Sequence, residues 1–107
     1  MAATHLNKEM FVQMIQEEKP VLVDFWAPWC GYCRRIDPAY EGIAQEWQAQ
    51  VVVAKVNIDE EPQLAEAEHI EVVPTLVLYH KGKAISSIVA PESRSRITRF
   101  LQEALEK

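Results

Sequence analysis

Hydrophobic positions along the chain form strand-like and helix-like blocks in alternation. Residues 21–26 and 51–56 are apolar on both faces of an extended segment, which is typical of central strands that helices cover on both sides. Closer to the C-terminus, residues 75–79 and 84–89 have the pattern of strands, and His80-Lys81-Gly82-Lys83 between them predicts a hairpin. The sheet is therefore expected to combine parallel strands with an antiparallel pair.

Helical spacing predicts four helices around these strands. The first should begin after Asn7, whose side chain can cap a helix, the second near Cys30, and the fourth after Ser93. A short third helix is expected over residues 62–67, with Pro62 in its first turn. The apolar residues expected to face the core are Met10, Phe11, Met14 and Ile15 in the first helix, Ile36, Tyr40, Ile43 and Trp47 in the second, and Ile97, Phe100, Leu101, Ala104 and Leu105 in the fourth.

The order of strand, helix, strand, helix, hairpin and helix indicates an α/β protein with a mixed central sheet flanked by helices on both faces. The chain of 107 residues fits one domain, 1–107, with no repeat, linker or low-complexity segment. Nearly half of the residues are hydrophobic, which is enough to form a core without metals or disulfide bonds.

Charge and hydropathy narrow the range of partners. The net charge is −5 and no basic stripe is present, which argues against nucleic acid as a partner. No apolar run approaches the roughly 20 residues that a membrane-spanning helix needs, so no membrane partner is expected. The segment Met1-Ala2-Ala3-Thr4-His5 lacks the basic and apolar regions of a signal peptide, which favours a cytoplasmic location.

The only two cysteines, Cys30 and Cys33, are separated by two residues. A structural disulfide stabilises a fold mainly by closing a long loop. The chain-entropy model gives about 1.9 kcal/mol for a loop of roughly four residues, against about 4.7 kcal/mol for a loop of roughly a hundred. A bond across this short loop would stabilise the fold little, and the spacing favours a bond that opens and closes.

The position of the cysteine pair supports redox chemistry. The segment Trp29-Cys30-Gly31-Tyr32-Cys33 follows a buried strand and opens a helix, where backbone N–H groups and the helix dipole favour a thiolate. Arg34 and Arg35 add positive charge in the first turn. Cys30, the outer residue, is expected to attack a disulfide, and Cys33 to resolve the mixed disulfide that results.

A metal site is not predicted from the same residues. A zinc ion needs four ligands, and one Cys-x-x-Cys segment supplies only two. His5, His69 and His80 show no paired spacing that would complete a site. A metal or iron–sulfur cluster would have to bridge two chains, which remains an alternative.

The chain resembles the thioredoxin family over nearly its whole length. The stretches that carry the resemblance are residues 23–33 (VDFWAPWCGYC), Pro38, residues 55–59 (KVNID), residues 73–75 (VPT) and Gly82. The resemblance implies the thioredoxin fold and a thiol–disulfide oxidoreductase that acts on protein disulfides. It also implies that Cys30 is the nucleophile and Cys33 the resolving residue.

The resemblance implies roles for three further residues. Asp24 would be a buried carboxylate beneath Cys33 that accepts a proton when Cys33 attacks. Because an ionised carboxylate is costly in an apolar strand, its pKa should be raised, which suits a base near neutral pH. Lys55 would be its cationic neighbour. The Val73–Pro74 bond would be cis and lie against the disulfide, exposing the Val73 backbone for strand-like pairing with a substrate.

A docking surface and a set of partners follow from the same resemblance. Its apolar rim would consist of Trp29, Ile58, Val73, Val89 and Ala90, next to Gly31 and Tyr32 of the cysteine segment. Substrates would be protein disulfides. Electrons would come from a thioredoxin-reductase-type donor, since the sequence contains no nucleotide-binding loop. No cofactor is expected, and the protein is expected to be a monomer.

Two residues depart from the usual pattern of the family. Tyr32 stands where most thioredoxins have proline; it restores a backbone N–H near the thiolate, relaxes the turn, and should make the couple more oxidising, at about 1.4 kcal/mol for every ~30 mV. The Gly31-Tyr32 dipeptide is similar to that of bacterial disulfide isomerases, so an isomerase or oxidant is an alternative. Ala90 stands where the family usually has glycine, and its methyl group is expected to narrow the substrate range. A non-catalytic interaction module with the same fold is a further alternative.

Overall fold

The computed structural model describes residues 3–106, which are built around a five-stranded mixed sheet. In chain order the strands are β1 (Thr4–His5), β2 (Val21–Trp26), β3 (Val52–Asn57), β4 (Thr75–His80) and β5 (Lys83–Val89). In space their order is β1-β3-β2-β4-β5. Strands β1 and β2 run parallel to β3, whereas β4 is antiparallel to β2 and β5 is antiparallel to β4. The predicted combination of parallel strands with an antiparallel hairpin is confirmed.

Four helices accompany the sheet at the predicted places. They are α1 (Lys8–Met14), α2 (Gly31–Glu46), α3 (Pro62–Ala67) and α4 (Arg94–Leu105). Capping residues set two of the starts: Asn7 Oδ1 accepts a hydrogen bond from the Met10 N–H at 2.9 Å, and Ser93 Oγ accepts one from the Arg96 N–H at 3.1 Å. Over residues 3–106, no helix has both the length and the apolar character needed to cross a membrane.

Side chains of β2 alternate between two core layers on opposite faces of the sheet. Leu22 packs in the layer formed with α2 and α4, whereas Val23 and Phe25 pack in the layer formed with α1 and α3. Asp24 therefore lies on the Leu22 side of the sheet, toward α2. The parallel register of β2 and β3 pairs Asp24 with Lys55, so two ionisable side chains enter the layer under α2 side by side.

Several predicted details are wrong. The pattern gave no sign of β1, and β3 begins and ends one residue later than the predicted 51–56. Met10 is exposed rather than in the core, and Trp47 is only partly buried at the end of α2. Only Lys81 and Gly82 separate β4 from β5; their φ values of 55° and 83° match the two-residue turn that fits the twist of a hairpin.

Candidate active site

The two cysteines lie where β2 ends and α2 begins. Cys30 is the N-cap residue of α2, and its Sγ accepts a hydrogen bond from the Cys33 N–H at 3.1 Å. The Cys30 thiol also donates to the carbonyl oxygen of Val73, 3.7 Å away. Both cysteines are free thiols, with 8% of Cys30 and 3% of Cys33 exposed. A sulfur anion at Cys30 would thus be stabilised by a backbone N–H and by the positive end of α2.

Apolar side chains surround the cysteine pair. Trp26, Tyr32, Ile58 and Val73 all pack against it. The Val73–Pro74 bond is cis, as predicted. The site therefore combines one sulfur near the surface with an apolar wall that limits access of water to the second.

Asp24 is a buried acid next to this pair. Only 1% of the residue is exposed, and among residues 3–106 its Oδ1 has no hydrogen-bond partner. Burial raises the pKa of the Asp24 carboxyl from 3.8 to about 7; the charge of Lys55 opposes this rise, and the charges of Asp37 and Glu41 add to it. At neutral pH the carboxyl is therefore divided between its protonated and ionised forms and can both accept and release a proton.

Cys33 is the sulfur that needs such an acceptor. Burial, followed by the hydrogen bond with Cys30, raises the pKa of the Cys33 thiol to about 12. At neutral pH this thiol keeps its proton and is a poor nucleophile until a base removes it. Cys33 and Asp24 line the same cavity, which has a volume of about 310 Å³ and also reaches Arg34, Asp37 and Lys55. The cavity gives the proton of Cys33 a path toward Asp24.

Lys55 lies beside Asp24, where the resemblance put it, but its ion pairs are with other residues. Its Nζ forms an ion pair with Asp37 Oδ1 and lies 3.6 Å from Glu41 Oε2. The ammonium also sits 5.0 Å from the centre of the Trp26 ring. Lys55 is buried, and the register of β2 and β3 makes it the cationic neighbour of Asp24 that the resemblance implied.

Sequence reasoning missed Asp37 and Glu41. Both lie on α2 at intervals of four residues from Cys33, a spacing that puts all three side chains on one face of a helix. That spacing was the signal available in the sequence. It could show that the acids share a face with Cys33, but not that this face meets Lys55 of β3.

The predicted docking residues surround the mouth of the site. Trp29 is 65% exposed, and its indole N–H donates to Asp59 Oδ1 at 3.1 Å. Val89 is exposed at the end of β5, whereas Ile58 and Val73 are partly buried against the cysteines. Gly31 begins α2, and a side chain added there would meet nothing within 4 Å. The structure thus brings an apolar surface together around Cys30.

Tyr32 and Ala90, the two departures from the family pattern, meet at one loop. The Tyr32 hydroxyl donates to the Pro91 carbonyl oxygen at 2.8 Å. Ala90 has a φ of 45°, and its N–H donates to the Pro74 carbonyl oxygen at 2.9 Å. A left-handed backbone is a conformation that glycine adopts more readily than alanine. The substitution at Ala90 therefore affects the backbone as well as adding a methyl group.

No group of three or more histidine, cysteine, aspartate or glutamate side chains within residues 3–106 could hold a metal ion. The reactive groups that the structure brings together here are two thiols and a buried acid. A helix-capping thiol, a second thiol three residues further on and a cis proline facing them define a thiol–disulfide oxidoreductase.

Comparison with known proteins identifies the family. The family model described as Thioredoxin matches residues 2–103. Similar proteins include a thioredoxin of Acidithiobacillus ferridurans, 44% identical over 105 residues and covering 97% of both chains. Thioredoxin 1 of Nostoc sp. is 37% identical over 105 residues, covering 97% of this chain and 98% of its own. This chain belongs to the thioredoxin family, and its fold is the thioredoxin fold.

Proposed function

We propose that this oxidoreductase reduces disulfide bonds of other proteins in two steps, with Cys30 as nucleophile, Cys33 as resolving thiol and Asp24 as proton acceptor. The observation that carries the proposal is the shared cavity of Cys33, whose pKa is raised to about 12, and Asp24, whose pKa is about 7. A thiol that holds its proton this firmly needs a nearby base. Of the two acids that line the cavity, Asp24 and Asp37, Asp24 is the buried one, and its pKa of about 7 lets it accept a proton at neutral pH.

In the first step the thiolate of Cys30 attacks one sulfur of a substrate disulfide. A bond forms between Cys30 Sγ and that sulfur, the substrate disulfide breaks, and the other substrate sulfur leaves as a thiolate that takes a proton from water. The N–H of Cys33, 3.1 Å from Cys30 Sγ, stabilises the sulfur anion before the attack.

In the second step Cys33 attacks Cys30 and its proton passes to Asp24. A bond forms between the two Sγ atoms, and the bond from Cys30 to the substrate breaks. The second substrate sulfur leaves as a thiolate and takes up a proton. The substrate has then gained two electrons and two protons, and the protein holds a disulfide between Cys30 and Cys33.

A substrate would dock over the exposed apolar rim. Trp29 and Val89 offer exposed apolar area beside Cys30, and Ile58 and Val73 extend it. The Val73 carbonyl oxygen lies 3.7 Å from Cys30 Sγ, so an extended segment that pairs with the backbone of Val73 would bring its disulfide to the nucleophile. Pro74 holds Val73 in this place, while Gly31, Tyr32 and Ala90 border the same groove.

The electron donor in this proposal is a reductase of the thioredoxin-reductase type. Among the similar proteins is a bifunctional thioredoxin reductase/thioredoxin of Mycobacterium leprae, 36% identical over 99 residues, which cover 92% of this chain and 22% of that protein. That protein joins the two named activities in one chain. We further propose that residues 1–107 act as one domain, as a monomer, in the cytoplasm.

Tyr32 supports a second candidate function, disulfide isomerisation or oxidation. Unlike proline, Tyr32 has a backbone N–H, at the second residue of the helix that Cys30 caps, and its hydroxyl donates to the Pro91 carbonyl oxygen at 2.8 Å. A stabilised thiolate makes a disulfide more oxidising. The reduction potential therefore separates the two functions.

The test is the reduction potential of the Cys30–Cys33 couple, measured in glutathione buffers, together with insulin reduction driven by NADPH and a bacterial thioredoxin reductase. We expect a potential closer to about −270 mV than to about −180 mV, and turnover with the reductase. The matched variant Tyr32→Pro should have a more negative reduction potential than the wild-type protein. A potential near −180 mV or above, with no turnover from the reductase, would favour the isomerase or oxidant instead.

A further inference from the structure

Two acids on α2 lie on the same side of the helix as Cys33, and one of them, Asp37, lines the same cavity. Asp37 and Glu41 follow Cys33 at intervals of four residues, so the three side chains form one stripe along the helix. About a third of each acid side chain is exposed, 37% for Asp37 and 31% for Glu41. The stripe is separate from the core-facing residues Ile36, Tyr40 and Ile43 of the same helix, so packing of the core does not account for it.

The acids bind the ammonium group of Lys55. Asp37 forms the closer ion pair, and Glu41 Oε2 lies 3.6 Å from Lys55 Nζ. Glu41 is itself fixed by the N–H of Ala3, which donates to its Oε1 at 2.7 Å. Only 8% of the Lys55 side chain is exposed, so the ammonium has little water to replace these partners.

This pairing matters for Asp24 because Lys55 is its neighbour in the β2–β3 register. Within residues 3–106, Asp24 Oδ1 has no hydrogen-bond donor, so a close ammonium would be the strongest available stabiliser of its ionised form. Instead, Asp37 and Glu41 of α2 hold that ammonium in ion pairs. Their own negative charges act in the same direction, since both raise the pKa of Asp24.

The surroundings of Asp24 contain few other charges. The titratable and charged groups that face Asp24 or line its cavity are Lys55 from β3 and Cys33, Arg34, Asp37, Tyr40 and Glu41 from α2, while β4 places the apolar Leu76 opposite it. His5 of β1 packs its ring edge-on against Trp26, at 6.4 Å between ring centres. Asp37 is the acid in this set that makes the closest ion pair with Lys55.

We propose that Asp37, supported by Glu41, is a positioning residue for the resolution step: it holds the Lys55 ammonium and so keeps Asp24 a strong proton acceptor for Cys33. This inference rests on the proposed function, in which Asp24 accepts that proton. Among residues 3–106, Asp37 forms no hydrogen bond with Cys30 or Cys33, and its ion pair is with Lys55. It acts through Lys55.

The test is a titration of the Asp24 carboxyl carbon by ¹³C NMR in the reduced, full-length protein. The midpoint in the wild-type protein is expected near pH 7. In Asp37→Asn, Lys55 is free to turn to Asp24, and the midpoint should fall by at least about one pH unit. In Asp37→Glu, which keeps the negative charge, the midpoint should return close to the wild-type value.

Glu46→Gln is the matched control. Glu46 lies on the same helix, and Glu46→Gln removes one negative charge just as Asp37→Asn does. Glu46, however, pairs with Arg94 at 3.0 Å and not with Lys55. In Glu46→Gln the titration midpoint of Asp24 should stay at the wild-type value. An unmoved midpoint in Asp37→Asn, or an equal shift in Glu46→Gln, would overturn the inference.

Two more measurements show whether Asp37 acts on Asp24 through Lys55, and separate this inference from the proposed function. In a Lys55→Gln background, Asp37→Asn should shift the midpoint by less than half as much; a full shift there would contradict action through Lys55. The pH at which resolution of a mixed disulfide is half-maximal should fall together with the midpoint. If the midpoint falls but the rate profile does not, Asp37 does control Asp24, and it is the proposed role of Asp24 as proton acceptor that fails.

Discussion

Replacing Cys30 with serine is expected to reduce insulin-disulfide reduction by at least about 1,000-fold, to the background without protein. A hydroxyl in this position remains protonated at neutral pH and cannot form the mixed disulfide. Cys30 is also the cysteine beside the exposed rim and the Val73 carbonyl, so Cys33 has no comparable access to a substrate. The measurement is the rate of NADPH oxidation in the coupled assay.

Cys33→Ser provides the matched control. This variant keeps the nucleophile and its helix cap but cannot complete the second step, so it should accumulate one covalently bound substrate per protein, visible by mass spectrometry. Unchanged turnover in Cys30→Ser would contradict the mechanism and leave a binding module as the better description of the groove.

Asp24→Asn is expected to gain free energy of unfolding relative to the wild-type protein as the pH rises, by roughly 3–4 kcal/mol between pH 4 and pH 8. The pKa of Asp24 is about 7 in the folded protein and 3.8 without burial, so the folded state binds a proton that the unfolded state releases. The contribution of Asp24 to the free energy of unfolding is therefore fully present below pH ~3.8 and declines as the pH rises. It is lost above the pKa of about 7 in the folded protein. Asparagine cannot ionise, so the variant should gain stability relative to wild type as pH rises.

Urea unfolding at the two pH values measures this difference directly, because any packing cost of the amide is present at both and cancels. Glu46→Gln, which removes a half-exposed acid on α2, should show no comparable trend. The same Asp24→Asn protein should resolve mixed disulfides at least about tenfold more slowly at pH 7, since Cys33 has lost its proton acceptor. Equal changes in stability at pH 4 and pH 8 would contradict a buried, ionisable Asp24.

The sequence predicts the central part of this fold well because its signals there are strong and local. Residues 21–26 are apolar on both faces, and a central strand results. Asn7 and Ser93 cap helices with their own side chains. The two residues of β1 carry no alternation of apolar and polar positions, and both are exposed, so pairing with β3 is the only feature that marks them as a strand.

The site was predictable where chain neighbours define it and not where distant elements meet. The spacing of Cys30 and Cys33 and their place at a helix start can be read from the sequence. The partners of Lys55 depend on how α2 crosses β3, which residue patterns do not specify. The positive φ of Ala90 is similarly set by the loop around it, which the Pro74 carbonyl holds.

The central claim is that Cys30 is the reactive thiolate and Cys33 the protonated resolving thiol. It can be tested by treating the reduced protein at pH 7 with less than one equivalent of iodoacetamide and mapping the label by mass spectrometry. We predict that the label lies on Cys30, because Cys33 is the less exposed of the two and its pKa is raised to about 12. Label divided equally between the two residues, or found mainly on Cys33, would contradict it.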